Sequence, residues 1–166
     1  RFPRFKKIIF YIKYLPLDIL LFIKGVKIKV LKNKEDFEKV YRFRKKVYAQ
    51  EEYIDEKEAP DGWKDKYDDC SVNIAAFKNG EPAGALRLVD SQKSVKLPIE
   101  EVFKLKDRLP KNCMEVSKLV IDKKFRGGKR LVICGLIKKS FCWSSKNQKE
   151  HWTAFLSEKF CNSLKP

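Results

Sequence analysis

Residues 114–130 read MEVSKLVIDKKFRGGKR, an apolar strand pattern that runs directly into a glycine-rich basic turn. The apolar positions predict a strand over residues 114–122, and the pattern behind the turn predicts a helix over residues 131–146. HWTAFLS at 151–157 then predicts a second strand. A strand, a crossover helix and a further strand form a βαβ unit, which indicates an α/β or α+β fold with a mixed sheet flanked by helices.

The segment upstream adds an antiparallel front to this sheet. Two apolar runs, residues 72–77 and 83–89, flank the tight turn KNGE at 78–81 and predict a β-hairpin. VKIKVL at 26–31 alternates with period two and predicts a strand, and a helix over 34–50 follows with Asn33 as its N-cap. Short helices are expected over 98–105 and from 158 to 164. Acidic residues 51–69 predict an irregular surface loop, and loops of this length are often functional.

The first 25 residues, RFPRFKKIIFYIKYLPLDILLFIKG, are predicted to form a basic, apolar helical appendage to one domain over residues 26–166. Lys13, Pro16 and Asp18 interrupt the apolar run, whereas a spanning helix needs about 20 predominantly apolar residues. We therefore expect this segment to lie on a membrane surface or to pack on the domain. The absence of an initiator Met and the end inside the predicted last helix predict a domain that is incomplete at its C-terminus.

The net charge of +16 is unevenly distributed along the chain. Residues 1–48 carry 15 Lys/Arg against 4 Asp/Glu, residues 49–69 carry 3 against 9, and the rest carries 20 against 9. Such a field attracts nucleic acid, anionic lipid, phosphorylated cofactors or an acidic carrier protein. Nucleic acid is disfavoured because the sequence has no zinc-finger, RNP-like or helix-turn-helix pattern. Five scattered cysteines and the single His151 supply no metal-ligand set, which predicts reduced thiols and a cytoplasmic protein.

The turn FRGGKR at 125–130 is a candidate phosphate site. Gly127 and Gly128 permit a sharp turn that presents backbone amides at the start of the next helix, and three cations add positive charge, namely Arg126, Lys129 and Arg130. This combination suits a pyrophosphate or a phosphopantetheine. An ordinary basic turn is the alternative, because the motif lacks the full pattern of a P-loop or a dinucleotide fingerprint.

Two charged residues interrupt apolar strands. Glu115 needs either a cationic partner or a raised pKa, and the latter suits a general base for an attacking amine. The alternative is an edge-strand carboxylate exposed to water. Arg87 lies between two leucines, and a half-buried arginine needs a carboxylate, for which Asp65, Asp68 or Glu115 qualifies. In an ideal strand Lys118 points to the face opposite Glu115.

Four motifs occur in an order that resembles a known group of enzymes: RKKVY at 44–48, DKYD at 65–68, GALRLV at 84–89 and MEVSKLVI at 114–121. They resemble the acyl-homoserine-lactone (autoinducer, quorum-sensing) synthases and the long-chain N-acyl amino acid synthases, both of the GNAT fold. The resemblance covers about residues 26–157. It implies an N-acyltransferase, and HWTAF resembles the amino acid synthase branch more closely.

The resemblance also implies roles for single residues. The charged network of the acceptor site would comprise Arg44, Asp65, Asp68 and Arg87, with Tyr48 as the aromatic residue and Glu115 as the base. Lys118, also assigned to the acceptor site, stands where these families have Arg, which keeps the charge but loses the planar fork. Tyr53 is the counterpart of an aromatic residue that is usually Trp.

The resemblance implies, further, that an acyl-pantetheine donor enters where two parallel strands diverge. Its amides would pair with strand backbone near Val120, and its phosphates would meet the FRGGKR turn. Acyl carrier protein or acyl-CoA would be the donor, with direct transfer to an amine and with no metal or bound cofactor. One alternative is a lactone synthase that uses S-adenosylmethionine as acceptor substrate, and another is a catalytically inactive GNAT-like binding module.

Overall fold

The computed structural model describes residues 15–55, 64–94, 96–104, 109–127 and 130–156. The helices are α1 (Leu15–Ile23), α2 (Lys34–Gln50), α3 (Pro98–Phe103) and α4 (Leu131–Lys146). The strands are β1 (Val26–Val30), β2 (Ser71–Lys78), β3 (Glu81–Asp90), β4 (Cys113–Ile121) and β5 (His151–Ala154). The predicted helix over 158–164 lies outside the described residues.

The five strands form one mixed sheet in the order β1-β2-β3-β4-β5. The first three pairings are antiparallel, and β4 pairs with β5 in parallel across α4. This arrangement confirms the predicted α/β sheet with an antiparallel front and a βαβ unit at the back.

Most sequence-predicted elements are confirmed with small shifts at their ends. The predicted helix over 34–50 coincides with α2, where Asn33 accepts a hydrogen bond from the Asp36 amide at 2.8 Å and so acts as the N-cap. The helix predicted over 98–105 ends at Phe103, because Lys104 adopts a left-handed conformation with φ of 52°. The last strand is shorter than predicted and ends at Ala154.

Helices cover both faces of the sheet. On one face, α2 buries Val40, Phe43 and Val47 against a cluster that includes Ala85 and Val120. On the other face, α4 packs its residues Val132 and Leu136 onto the central strands in a cluster that includes Leu86, Leu88 and Met114. The sheet therefore lies in the middle of three layers, and alternate residues of β3 and β4 serve opposite cores.

Helix α1 packs on the domain. Leu21 is 6% exposed and belongs to the apolar cluster that contains Val132 and Leu136 of α4. Asp18 forms an ion pair with Lys138 of α4. Among the described residues, no helix combines the length and the apolar character needed to cross a bilayer. For residues 15–25 the packing agrees with one of the two outcomes expected for residues 1–25, whereas residues 1–14 lie outside the described residues. The domain boundary itself stays a prediction.

Gly84 sets the distance between β3 and α4. A Cβ atom at this position would lie 2.8 Å from Ile121 Cδ1 and 2.8 Å from Val132 Cγ1, well inside van der Waals contact. Any larger side chain would push α4 from the sheet. The glycine of the GALRLV motif is thus required for close packing in the layer behind the candidate site.

Candidate functional site

A buried network of four charged side chains lies between α2 and the sheet. Arg44 Nη1 donates to Asp68 Oδ1 at 3.1 Å, and Arg87 Nη1 donates to Asp68 Oδ2 at 3.0 Å and to Asp65 Oδ1 at 2.5 Å. The side chains of Arg44, Arg87 and Asp68 are at most 2% exposed. The structure therefore brings together the four residues for which the resemblance implied a charged network.

Asp65 is the accessible member of this network, since its side chain is 31% exposed. Burial acts to raise the pKa of Asp65, but the hydrogen bond and the charge of Arg87 outweigh burial and lower it overall. Asp65 also accepts a hydrogen bond from the Tyr67 amide at 2.9 Å. The carboxylate stays ionised and presents a negative charge at the edge of a largely buried cationic pair.

Lys118 joins the network through a β-bulge, and the expectation from an ideal strand is wrong here. Ala85 pairs with Val120 and Arg87 pairs with Ser117, so β4 contains one residue more than β3 between these pairs. Lys118 occupies the bulge with φ of 52°. The extra residue returns its side chain to the face of Glu115, where Lys118 Nζ lies 3.4 Å from Asp65 Oδ2.

Tyr48 flanks Lys118 on the α2 side. Lys118 Nζ lies 5.8 Å from the centroid of the Tyr48 ring, and burial raises the pKa of the Tyr48 hydroxyl. The ring packs edge-on against Tyr53 at 5.7 Å between centroids. Of the two aromatic residues named from the sequence, Tyr48 thus stands beside the lysine and Tyr53 packs behind the Tyr48 ring.

Glu115 is buried rather than exposed at an edge, so the alternative of a water-exposed carboxylate is wrong. Its residue exposure is 3%, and Oε2 accepts a hydrogen bond from the Ile99 amide at 2.9 Å, in the first turn of α3. Burial raises the pKa of Glu115, while this hydrogen bond and the charge of Arg87 act in the opposite direction. Among the described residues the carboxyl pairs with no arginine directly, and its role as base stays a prediction.

A cavity of about 680 Å³ opens where β4 and β5 part. Their parallel ladder ends at the pair Val116–Ala154, while β4 continues to Ile121. The cavity is lined on one side by β4 residues from Val116 to Ile121, Val120 among them, and on the other by Phe155 and Leu156. Aliphatic and aromatic side chains from α2 and α4, such as Val47 and Ile133, complete an apolar wall.

The basic turn borders this cavity. Arg126 and Arg130 are among the lining residues. The Arg126 guanidinium donates from Nε to the Ile121 carbonyl at 2.9 Å and from Nη1 to Glu51 Oε1 at 2.8 Å, so it is held above the end of β4. Gly127 has open space around it. Gly128 and Lys129 lie outside the described residues, and their predicted part in phosphate binding stays a prediction.

Three contributing residues were not singled out from the sequence. Asn73 of β2 accepts a hydrogen bond from Arg44 Nη2, and Ser117 Oγ accepts one from Arg87 Nε at 3.1 Å. Glu51 binds Arg126 at the cavity mouth. An amide inside the apolar run of β2 was the available signal for Asn73, since a buried polar side chain needs a partner.

The family profile of N-acyl amino acid synthase FeeM matches residues 39–154. The matched segment contains the charged network, the bulge and the strands that border the cavity. The chain belongs to the FeeM family of N-acyl amino acid synthases. Membership in the FeeM family confirms the predicted resemblance and the enzyme class, an N-acyltransferase that produces N-acyl amino acids or acyl-homoserine lactones. A search of curated proteins returned no match.

Solved structures confirm the GNAT fold of this FeeM-family chain. The CoA-dependent acyl-homoserine lactone synthase BjaI, solved with SAM and isopentyl-CoA, aligns with a TM-score of 0.68 at 22% identity over 84% of this chain and 70% of that one. FeeM from uncultured soil microbes aligns with a TM-score of 0.64 at 12% identity over 83% and 75%. A GNAT acetyltransferase from Staphylococcus aureus Mu50 aligns with a TM-score of 0.56 at 18% identity over 83% and 78%.

Proposed function

We propose that this chain transfers a fatty acyl group from a phosphopantetheine thioester to the amine of an amino acid or of an amino-acid-like acceptor. The main support for this proposal is the cavity where β4 and β5 diverge, which has an apolar wall and two arginines of the basic turn at its border. An acyl chain suits the wall, and a phosphate suits the arginines. In the part of the chain that the structure describes, backbone groups of β4 beyond Val116 have no β5 partner and can pair with the pantetheine amides.

The acceptor would approach from the charged network. Asp65 is its accessible carboxylate, and Lys118 both lines the cavity and contacts Asp65. An acceptor ammonium is attracted to Asp65, while the hydrogen bond from the buried Arg87 lowers the pKa of this carboxylate and fixes its position. The amine nitrogen then attacks the thioester carbonyl, and the thiolate leaves. Glu115 as the base for this step stays the prediction made from the sequence.

Acyl carrier protein is the donor that the charge distribution favours. The net charge of +16 and the cations beside the cavity suit an acidic carrier, whereas CoA would use the same turn with its own phosphates. Raising the salt concentration screens long-range attraction, so it should reduce kcat/KM more steeply for acyl carrier protein than for acyl-CoA. Equal salt dependence would leave the preference for a carrier protein unsupported.

Mass spectrometry of lipid extracts tests the reaction itself. Cells that express the chain should accumulate N-acyl amino acids, and the Arg87→Ala variant should not, because it leaves Asp65 and Asp68 without their shared partner. Acyl lactones in place of acyl amino acids would identify S-adenosylmethionine as the acceptor substrate. No acylated product from a folded chain would overturn the proposal in favour of an inactive binding module.

Helix α1 supports a second proposal, contact with an anionic membrane surface. Its outer face exposes Ile19, Phe22 and Ile23 at 52%, 84% and 69%, and the exposed cations Lys24 and Lys27 follow directly. An apolar face rimmed by lysines complements acidic lipid headgroups.

Sedimentation with vesicles tests this contact. The full chain should sediment with phosphatidylglycerol vesicles but not with phosphatidylcholine vesicles. Phe22→Ser should release it, whereas Val102→Ser, at a 70% exposed position of α3, should not. Equal release of the Phe22→Ser and Val102→Ser variants would contradict a specific role for α1. So would a full chain that sediments with neither kind of vesicle.

A further inference from the structure

A second cavity, of about 800 Å³, lies between α1, the edge strand β1 and the second half of α4. This cavity, named the α1 groove, has a volume within the range of small-molecule pockets, which is about 300–1,000 Å³. None of its described lining residues also lines the acyl-transfer cavity. The acyl transfer proposed above therefore does not account for the α1 groove.

The most deeply buried lining residues of the α1 groove are largely apolar. Leu21 of α1 and Val26 of β1 are 6% and 9% exposed, and Ile28 of β1 lines the groove with them. Gly135 of α4 completes this surface, because a Cβ atom there would lie 2.8 Å from Leu21 Cδ1 and closer still to Ile28 Cδ1. Such a surface suits a hydrocarbon chain, whose transfer out of water is favourable.

Lysines dominate the charge of the α1 groove. Lys138 of α4 has a side chain that is only 9% exposed, and it forms an ion pair with Asp18 of α1, which is 56% exposed. Two further lysines, Lys27 and Lys139, line the groove and are exposed. Among the described lining residues, three lysines thus face a single aspartate. An anionic head group complements this balance of charge, whereas a cationic one would be repelled.

The open side of the groove continues into the exposed apolar face of α1. Phe22 lines the groove and is 84% exposed, and Ile19 and Ile23 of the same helix are 52% and 69% exposed. An acyl chain can therefore enter along apolar side chains. The volume suits one chain with a compact anion at its end, and a carboxylate is such an anion.

We propose that the α1 groove is a binding site for a free long-chain fatty acid. The chain lies on Leu21 and Val26, and the carboxylate binds Lys138 and Lys139 at the α4 side of the groove. The carboxylate competes with Asp18 for Lys138. Because more than half of the Asp18 side chain is exposed, it returns to water at little cost. This site does not depend on the reaction proposed for the acyl-transfer cavity.

Alkylation by N-ethylmaleimide locates the ligand on the full chain. Cys142 lines the α1 groove, whereas the exposed Cys134 of the same helix is not among its described lining residues and serves as the internal control. Myristate below its critical micelle concentration, at ten times its Kd, should slow the alkylation of Cys142 about tenfold and leave Cys134 unchanged. Tetradecylamine, which has the same chain length and a cationic head, should protect neither cysteine. Peptide mass spectrometry measures both rates.

Lys138→Met tests the recognition of the carboxylate. The substitution keeps an unbranched side chain but removes the cation, and the loss of a hydrogen bond to a charged group should raise the Kd for myristate about 10- to 100-fold. Lys146→Met, the same change at the exposed end of α4, should leave the Kd unchanged. Circular dichroism checks that both variants are folded.

Three results would overturn the proposal. Alkylation of Cys142 at the same rate with and without myristate would show that the groove takes no fatty acid, as when another part of the chain fills it. Equal protection by tetradecylamine would show that the anionic head is not recognised. Protection by phosphatidylglycerol vesicles but not by myristate would assign the groove to a membrane lipid. None of these measurements needs acyl transfer, so they decide the site even if the proposed function fails.

Discussion

Arg44 and Arg87 bind opposite oxygens of one carboxylate, that of Asp68, at 3.1 and 3.0 Å. The two guanidiniums come from α2 and β3, so a single acidic side chain joins a helix to the sheet beneath it. Both arginine side chains are at most 2% exposed. Neither could remain charged there without a buried anion, because the desolvation of an unpaired charge is prohibitive.

Asp68→Asn should destabilise the fold strongly. The substitution keeps the shape but removes the shared anion from two buried arginines, and we expect the free energy of unfolding to fall by about 3–5 kcal/mol. Urea denaturation measures this loss. Asp69→Asn is the matched control, since the Asp69 side chain is 76% exposed and should tolerate the change. Equal midpoints for the two variants would contradict a structural role for Asp68.

Asp65 should make stability depend on pH in the acid range. Its pKa is lower in the folded state than in the unfolded chain, so its contribution is fully present above the unfolded value of about 3.9 and is lost as the pH falls through the folded value. Asp65→Asn should therefore be less stable than the parent at neutral pH, and the gap should narrow below about pH 4. Thermal unfolding of the parent and of Asp65→Asn, measured from about pH 7 to 2, gives the stability of each as a function of pH. A gap that stays constant over this range would count against the assigned pairing with Arg87.

Glu51→Gln should tighten the binding of phosphate-bearing donors. Glu51 Oε1 lies 2.8 Å from Arg126 Nη1 and 3.6 Å from Lys123 Nζ, so a donor phosphate must compete with Glu51 for both cations. Because both contacts are solvent-exposed, the gain should be modest, about two- to fivefold in Kd for acyl-CoA at low salt. Calorimetric titration of the full chain measures it. Glu52→Gln removes a neighbouring exposed carboxylate and should have no such effect; an equal gain there would point to net charge alone.

Gly84→Ala should loosen the packing of α4 on the sheet. The added methyl group would meet Ile121 and Val132 at 2.8 Å, and overpacking of this kind costs about 1–3 kcal/mol. Gly127→Ala is the control, because nothing lies within 4 Å of the added atom. Urea midpoints compare the two variants, and an unshifted midpoint for Gly84→Ala would show that α4 can move without cost.

Much of the site could be predicted because its residues stand in regular elements. Arg87 interrupts an apolar strand, and that conflict alone predicts a buried carboxylate partner. The identity of the partner could not be predicted in the same way, since Asp65, Asp68 and Glu115 all qualified until their positions were known. The roles of Asn73 and Ser117 could not be predicted, because a single polar residue in a strand can be exposed to water or can be buried with a hydrogen-bond partner.

The sequence by itself determined the order of helices and strands, the hairpin, and the charged residues that interrupt the apolar runs, because these follow from local periodicity and from turn chemistry. Only the tertiary structure decided which face Lys118 occupies and whether Glu115 meets water. A bulge depends on the pairing of two strands, and the burial of a carboxylate depends on a helix start distant in sequence. The side chain that meets the cavity is therefore set by contacts between elements, which no single segment encodes.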